Sequence, residues 1–188
     1  MESENKNDKP KNCLKVVLFG PESTGKTTLS RQLAAHYKTV WVPEFARDYL
    51  QQKWDNTREI CSYEDIIPIA RGQLALEQEG FKKANNILFC DTDVLETSVY
   101  SEAYFNNKVP GELLEYLKEN NTDFYFLTYI DTPWVPDDLR DKPNEREAMF
   151  SLFKKALQKS KKPYIVLKGN RENRFRIAKQ TIDQLTQT

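Results

Sequence analysis

The chain has 188 residues, and its 28 lysines and arginines are matched by 28 aspartates and glutamates, for a formal charge of +0 with the single His36 neutral. That length suits one domain with a full apolar core, and a mean hydropathy of −0.72 leaves no stretch near the ~18 apolar residues of a membrane helix; the balanced charge lacks the basic footprint of a duplex nucleic-acid binder. Cys13, Cys61 and Cys90 form no CxxC pair and no Cys/His cluster, which fits a reducing cytoplasm and excludes structural zinc.

The chain opens on MESENKNDKPKN, which has no apolar residue after Met1 and cannot bury enough surface to offset the entropy of ordering. Residues 1–13 are expected to be a flexible polar tail, and residues 14–188 a single domain. The tail has neither the apolar core of a secretory signal nor the character of a transit peptide, so a cytoplasmic location is expected. An apolar run at residues 15–19 predicts the first strand. It leads into Gly20-Pro21-Glu22-Ser23-Thr24-Gly25-Lys26-Thr27, a full match to GxxxxGK[ST], and then into a helix marked by Leu29, Leu33 and Tyr37. The glycines let successive backbone N–H groups face a phosphate, and the helix adds its positive N-terminal end. Gly20, Glu22, Ser23, Thr24, Gly25, Lys26, Thr27 and Thr28 are the expected ATP-binding residues, with Lys26 reaching the β- and γ-phosphates and the Thr27 hydroxyl holding Mg²⁺. A glycine-containing turn with a surface lysine is the bland alternative, and the strand, loop and helix in sequence argue against it.

Residues 39–42 predict a second strand, ending in Pro43-Glu44-Phe45-Ala46-Arg47. A carboxylate at that carboxyl end can take the proton of an attacking hydroxyl or fix a sugar hydroxyl, with Arg47 one turn later; a surface Glu/Arg pair is the competing reading. Helical spacing covers residues 63–84. The third strand, 86–90, runs into Asp91, placed to order a Mg²⁺ shell with Thr27. Asp93 shares the face of Asp91 if the chain stays extended, or caps the next helix if it does not. Helices at 94–105 and 112–118 precede a fourth strand at 124–130. The stretch 133–143, with its prolines, adjacent acids and Arg140, and the following Arg146 sit where an arginine-bearing lid belongs; solvated loop charges are the alternative. A helix at 145–159, a fifth strand at 164–167, a loop at 169–174 expected to border the adenine, and a helix at 173–185 complete the chain. Short buried strands alternating with helices imply a mostly parallel sheet with helices on both faces, and ligands beyond the strands' carboxyl ends.

No Asn-Lys-x-Asp motif follows a later strand, which disfavours a GTPase switch, and CDTD lacks the adjacent acids usual in motor ATPases. The segments GPESTGKTTL, VPEFARDYL, DIIPIARGQ, FCDTD, the 97–102 helix TSVYSE and DTPWVPDDLR with Arg146 resemble the NadR-type ribosylnicotinamide kinase domain, from Leu14 to Arg176. GKT alone is widespread; VPEFAR, FCDTD and PWVPDDLR together are far more specific. The resemblance implies a three-layer P-loop kinase fold akin to thymidylate kinase, with a five-stranded parallel sheet, and an ATP- and Mg²⁺-dependent transfer of the γ-phosphate to the ribose 5′-hydroxyl of nicotinamide riboside. Nicotinamide mononucleotide is then the product, and the partners are small molecules, with neither nucleic acid nor membrane among them. Lys26, Arg140 and Arg146 are the expected phosphate-stabilising groups, and Glu44 and Asp93 are rival bases. Trp41, Glu44, Arg47, Asp91, Asp93 and Trp134 are the expected acceptor-side residues. Trp41 and Trp134 are candidates to stack on the cationic nicotinamide ring, against a plain core role for Trp41. Where the family's lid commonly reads Asp-Gly, this chain has Asp137-Asp138. Some members place a repressor and a nucleotidyltransferase domain ahead of the kinase; only a polar tail precedes the first strand here, so neither activity is expected. Another P-loop nucleoside or nucleoside-monophosphate kinase, or a nucleotide-sensing regulator without turnover, are the competing functions.

Overall fold

The structure, a computed structural model, describes residues 9–10, 12–137, 139 and 144–187. Five strands, β1 (Leu14–Phe19), β2 (Trp41–Val42), β3 (Ile87–Asp91), β4 (Phe124–Thr128) and β5 (Tyr164–Leu167), form an all-parallel sheet in the order β2-β3-β1-β4-β5. Between and after them run α1 (Lys26–His36), α2 (Phe45–Thr57), α3 (Ile66–Lys83), α4 (Val94–Tyr104), α5 (Gly111–Lys118), α6 (Arg146–Ser160) and α7 (Arg171–Thr186). All five predicted strands are present within two residues of their expected ends.

β1 shows why the runs are continuous rather than alternating. Val17 and Phe19 join one core with Val99 of α4 and Phe153 of α6, while Val16 and Leu18 join a second core with Leu33 of α1 and Ile182 of α7. Both faces are covered, so both sets of side chains must be apolar. Lys15 breaks that rule. It is 1% exposed, and its Nζ donates to Glu77 Oε2 of α3 at 2.5 Å, so α3 is pinned to the central strand by a buried ion pair.

Helix α2 is an addition to the expected elements: it contains no fully buried residue and so shows little apolar periodicity. Within the stretch expected to be a polar tail, Lys9 pairs with Asp123, the Cys13 N–H donates to Pro10 O at 3.0 Å, and Cys13 is buried. Residues 1–8 and 11 of that stretch lie outside the described residues. Among the described residues, no helix is long and apolar enough to cross a membrane.

Candidate active site

A cleft of about 720 Å³ opens at the carboxyl ends of the strands, where parallel α/β sheets place ligands. Its floor is the loop after β1. Gly20 (φ 143) passes so close to β4 that a Cβ there would stand 2.6 Å from Thr128 Oγ1, so only glycine fits. Ser23 (φ 56) and Gly25 (φ 84) are also left-handed, and a Cβ on Gly25 would meet nothing within 4 Å. The alternating hand turns successive N–H groups toward that open space, which is how a backbone cradles an anion. Thr24 closes the loop from beneath: its Oγ1 donates to Pro21 O (2.7 Å) and lies 2.7 Å from Thr128 Oγ1.

Arg174 of α7, 4% exposed, fastens this loop to the strand ends. Its guanidinium donates to Thr24 O (2.6 Å), Tyr129 O (2.8 Å) and Gly169 O (2.9 Å) and pairs with Asp131. With its donors committed to protein acceptors, Arg174 is a rigid strut of the nucleotide half of the cleft. Thr28 and Glu22 also line the cleft, beside Arg171.

Lys26, 7% exposed, donates to Gly20 O (2.6 Å) and Pro21 O (3.3 Å), and its Nζ lies 3.1 Å from Glu96 Oε1 of α4. Burial works against the charged ammonium, but Glu96, Glu44 and Asp91 outweigh it and hold the Lys26 pKa above its ordinary value. Burial pushes the Glu96 carboxyl up to about 8 against the pull of Lys26, with Glu44 and Asp91 pushing the same way. The fold therefore binds a proton at Glu96 that the unfolded chain has released, and stability contributed by this group falls as pH rises from the ordinary carboxyl range to about 8. The ligand-free protein is expected to melt at lower temperature at pH 8 than at pH 5.5. Glu96→Gln is expected to narrow that difference, with the residual slope coming from Glu77 and Asp91, whose pKa values burial also raises; thermal melts of both proteins at the two pH values check this.

Asp91 ends β3 at 1% exposure and accepts from the Thr27 hydroxyl. Its other oxygen, Oδ1, is buried without a hydrogen-bond partner. A hydroxyl and an orphaned carboxylate oxygen beside a phosphate cradle fit the donor set of Mg²⁺, which takes few protein ligands and keeps substrate phosphate and water in its shell.

Asp93 does not share this face. Thr92 (φ 83) turns the chain into the left-handed region, a strained conformation for a β-branched residue, and the extended run ends there. Asp93 is 0% exposed and caps α4 through Leu95 N (3.0 Å), while its Oδ2 accepts from Tyr125 OH (2.5 Å), Asn120 Nδ2 (2.9 Å) and Thr122 Oγ1 (3.1 Å). The expectation of Asp93 as a base or acceptor ligand is corrected to the capping reading. Asp93→Asn is expected to cost about 2 kcal/mol of stability by placing a donor among donors, with nucleotide-analogue affinity unchanged; urea unfolding and a binding titration measure both.

Pro43 follows the end of β2, and Glu44 becomes the N-cap of α2 without using its side chain as the cap. It is half-buried and lines the cleft with Trp41, Arg47 and Asp48. Arg47 donates to Asp137 Oδ2 at 2.7 Å, so a carboxylate from the chain that follows β4 pairs with its charge. Trp41 packs against the α1/α7 core, the plain role weighed for it, and also lines the cleft, with the Arg31 guanidinium 5.8 Å from its ring centroid.

The lid expectations divide. Arg140 lies outside the described residues, as does Asp138 of the Asp137-Asp138 pair. Arg146 does not point into the cleft. It donates to Thr132 O (2.8 Å) and Ser23 O (3.4 Å) and lies 5.7 Å from the Trp134 ring centroid. Trp134 lines a separate small recess with Pro21, Tyr100 and Met149, so its expected place beside the acceptor is corrected. Ser23 completes the joint: its Oγ accepts from Val135 N (2.9 Å) and its carbonyl from Thr132 Oγ1 (2.7 Å). The phosphate loop, Thr132, Val135 and Arg146 are thereby one hydrogen-bonded unit.

A protein-family model described as an AAA domain matches residues 15–174. The chain is 29% identical over 155 residues to the trifunctional NAD biosynthesis/regulator protein NadR of Salmonella typhimurium, covering 81% of this chain and 38% of that protein. It is 32% identical over 125 residues to the protein of the same name from Escherichia coli, covering 66% of this chain and 30% of that one. The chain thus spans well under half the length of the curated relatives it matches. Among solved structures, a NadR protein in complex with NR superposes with a TM-score of 0.73 at 23% identity over 94% of this chain and 50% of the other, and thymidylate kinase from Ehrlichia chaffeensis with 0.64 at 15% identity over 91% and 99%.

Proposed function

The chain belongs to the AAA domain family, and from that premise we propose that it is an ATP-dependent kinase that phosphorylates the 5′-hydroxyl of nicotinamide riboside, giving nicotinamide mononucleotide. Homology to NadR and the likeness of fold to nucleotide kinases support phosphoryl transfer on this scaffold. A motor ATPase would bring a second acid after β3 to the phosphates, and here Asp93 is spent inside the fold.

One observation carries the choice of acceptor. The end of the cleft near β2 and α2 presents Glu44 and Asp48, while Arg47 is engaged by Asp137 and the Arg31 guanidinium lies over the Trp41 ring. That end repels the phosphate of a nucleoside monophosphate and suits a neutral or cationic nucleoside, and nicotinamide riboside carries a fixed positive charge on its ring. Cation–π contact with Trp41, in competition with the Arg31 guanidinium already beside that ring, would add at most roughly 0.5–2 kcal/mol.

The loop N–H groups and Lys26 hold the phosphates, with Lys26 exchanging its contacts to Gly20 O, Pro21 O and Glu96 for phosphate oxygens. Glu96 can accept that exchange because its carboxyl is readily neutral. Thr27 and Asp91 would hold Mg²⁺, which supplies charge neutralisation to the β- and γ-phosphates when bound. Glu44 orients the acceptor hydroxyl and receives its proton as the hydroxyl oxygen bonds to the γ-phosphorus and the bond to the ADP oxygen breaks. A coupled ADP-release assay across nicotinamide riboside, common nucleosides and their monophosphates tests the reading. Turnover is expected with nicotinamide riboside and little with monophosphates. Preference for a monophosphate would make this a nucleotide kinase, and ATP binding without turnover on any acceptor would make it a nucleotide sensor.

A further inference from the structure

Glu44 stands on a short bridge between β2 and α2, and α3 grips the chain on both sides of that bridge. On one side Gly80 lets α3 approach the last residue of β2: a Cβ on Gly80 would stand 2.7 Å from Val42 Cγ2 and 2.9 Å from Leu88 Cδ1. On the other, the Phe45 ring lies directly on Gly72, where a Cβ would come within 2.2 Å of Phe45 Cε1. Glycine disfavours a helix interior, so two in α3 need a reason, and both point at the chain flanking Glu44. The next residue adds a polar hold. Gln73, 2% exposed, accepts the Phe45 N–H at Oε1 over 2.9 Å. Phe45 is the first residue of α2, and its N–H is among those a helix start leaves without an internal partner. Ordinarily the N-cap side chain satisfies such a start, and here that residue is Glu44. Gln73 takes part of that duty from across the interface, directly beside the residue whose side chain lines the cleft. One helical turn further along α3, Glu77 is held by Lys15 of the central strand, so this seat is referenced to the sheet and not to a mobile surface.

We propose that Gly72 and Gln73 are positioning residues that aim Glu44 at the acceptor hydroxyl through Phe45. The inference rests on the reading of Glu44 as the group that receives the acceptor's proton. It also gives a purpose to the ARGQ part of the DIIPIARGQ segment, whose glutamine is buried away from the cleft yet touches the residue after Glu44.

A double-mutant cycle tests it, with Gln73→Met, similar in size and without the acceptor oxygen, made in the wild-type and Glu44→Gln backgrounds. Gln73→Met is expected to lower kcat by on the order of 10-fold, since small misplacement of a reacting group is costly, with ATP-analogue affinity unchanged. In the Glu44→Gln background the further loss is expected to be under about 2-fold, the mark of two residues acting through one group. Gly72→Ala displaces the Phe45 ring without removing a hydrogen bond, and the same cycle with it is expected to show the same non-additivity. It decides the question should Gln73→Met fail to fold by circular dichroism. Equal fold losses in both backgrounds, or no loss in the wild-type background, would assign Gly72 and Gln73 to packing alone and overturn the proposal. If Glu44→Gln itself leaves kcat unchanged, the reading of Glu44 fails and this inference falls with it, a result distinct from additivity.

Discussion

Lys26→Ala is expected to lower kcat by on the order of 10³-fold, the scale seen when one preorganised donor to developing charge is removed. The substitution is unusually clean for a buried cation. Removing one partner of a buried ion pair usually strands the other charge at a large cost in stability. Here burial has already raised the Glu96 carboxyl to about 8, so losing Lys26 completes its neutralisation, while Asp91, whose pKa burial also raises, keeps its bond from the Thr27 hydroxyl. The melting temperature of Lys26→Ala should therefore stay close to that of the parent while turnover collapses. Steady-state kinetics with a thermal melt on the same sample measure both, and full turnover in this variant would remove the phosphate loop from the chemistry.

Glu44→Gln is expected to lower kcat by on the order of 10²-fold, at the low end for a general base because proton transfer is late in a loose phosphoryl-transfer transition state. The amide keeps the size and position of the side chain, so ATP-analogue affinity should be unaffected. The fall of kcat on the acid side of the pH profile should disappear, since the group that must be ionised there is gone. Retention of that acid limb in the variant would assign it to another carboxyl, with Glu96 the nearest to Lys26.

The strands and the phosphate loop were legible because each is encoded locally: a β-branched run covered on both faces, two glycines where the backbone leaves ordinary conformations, and a lysine and threonine at fixed offsets. Asp91 was legible because it ends such a run. What escaped was encoded by packing between distant segments. Nothing about Thr92 marks it for a φ of 83, so the turn that buries Asp93 could not be anticipated. Glu96 reads as a surface acid, and only the near-continuous burial of α4 at Val94, Leu95, Ser98, Val99 and Ser101 hints that an acid there lies inside. Arg174 falls in a polar stretch and becomes a strut only because α7 brings it under the loop at Thr24. Arg146 was expected to reach the phosphates; the Thr132 and Ser23 carbonyls and the Trp134 ring hold it instead.

Helix α2, with no fully buried residue, is held at its first turn, where Phe45 meets α3, and at Tyr49 and Lys53, which both bond to the buried Asp65. Apart from those ties its side chains can change at little expense to folding, although Ala46, Arg47, Asp48 and Leu50 form one wall of the cleft. The nucleotide half has no such freedom, since Gly20, Thr24 and Arg174 are each fixed by several contacts. Over evolutionary time, or in directed selection, the choice of acceptor is therefore the property that drifts first, and ATP use the one that persists. A library confined to the cleft-facing positions of α2 would retrain this scaffold toward new nucleosides while leaving its phosphate donor untouched.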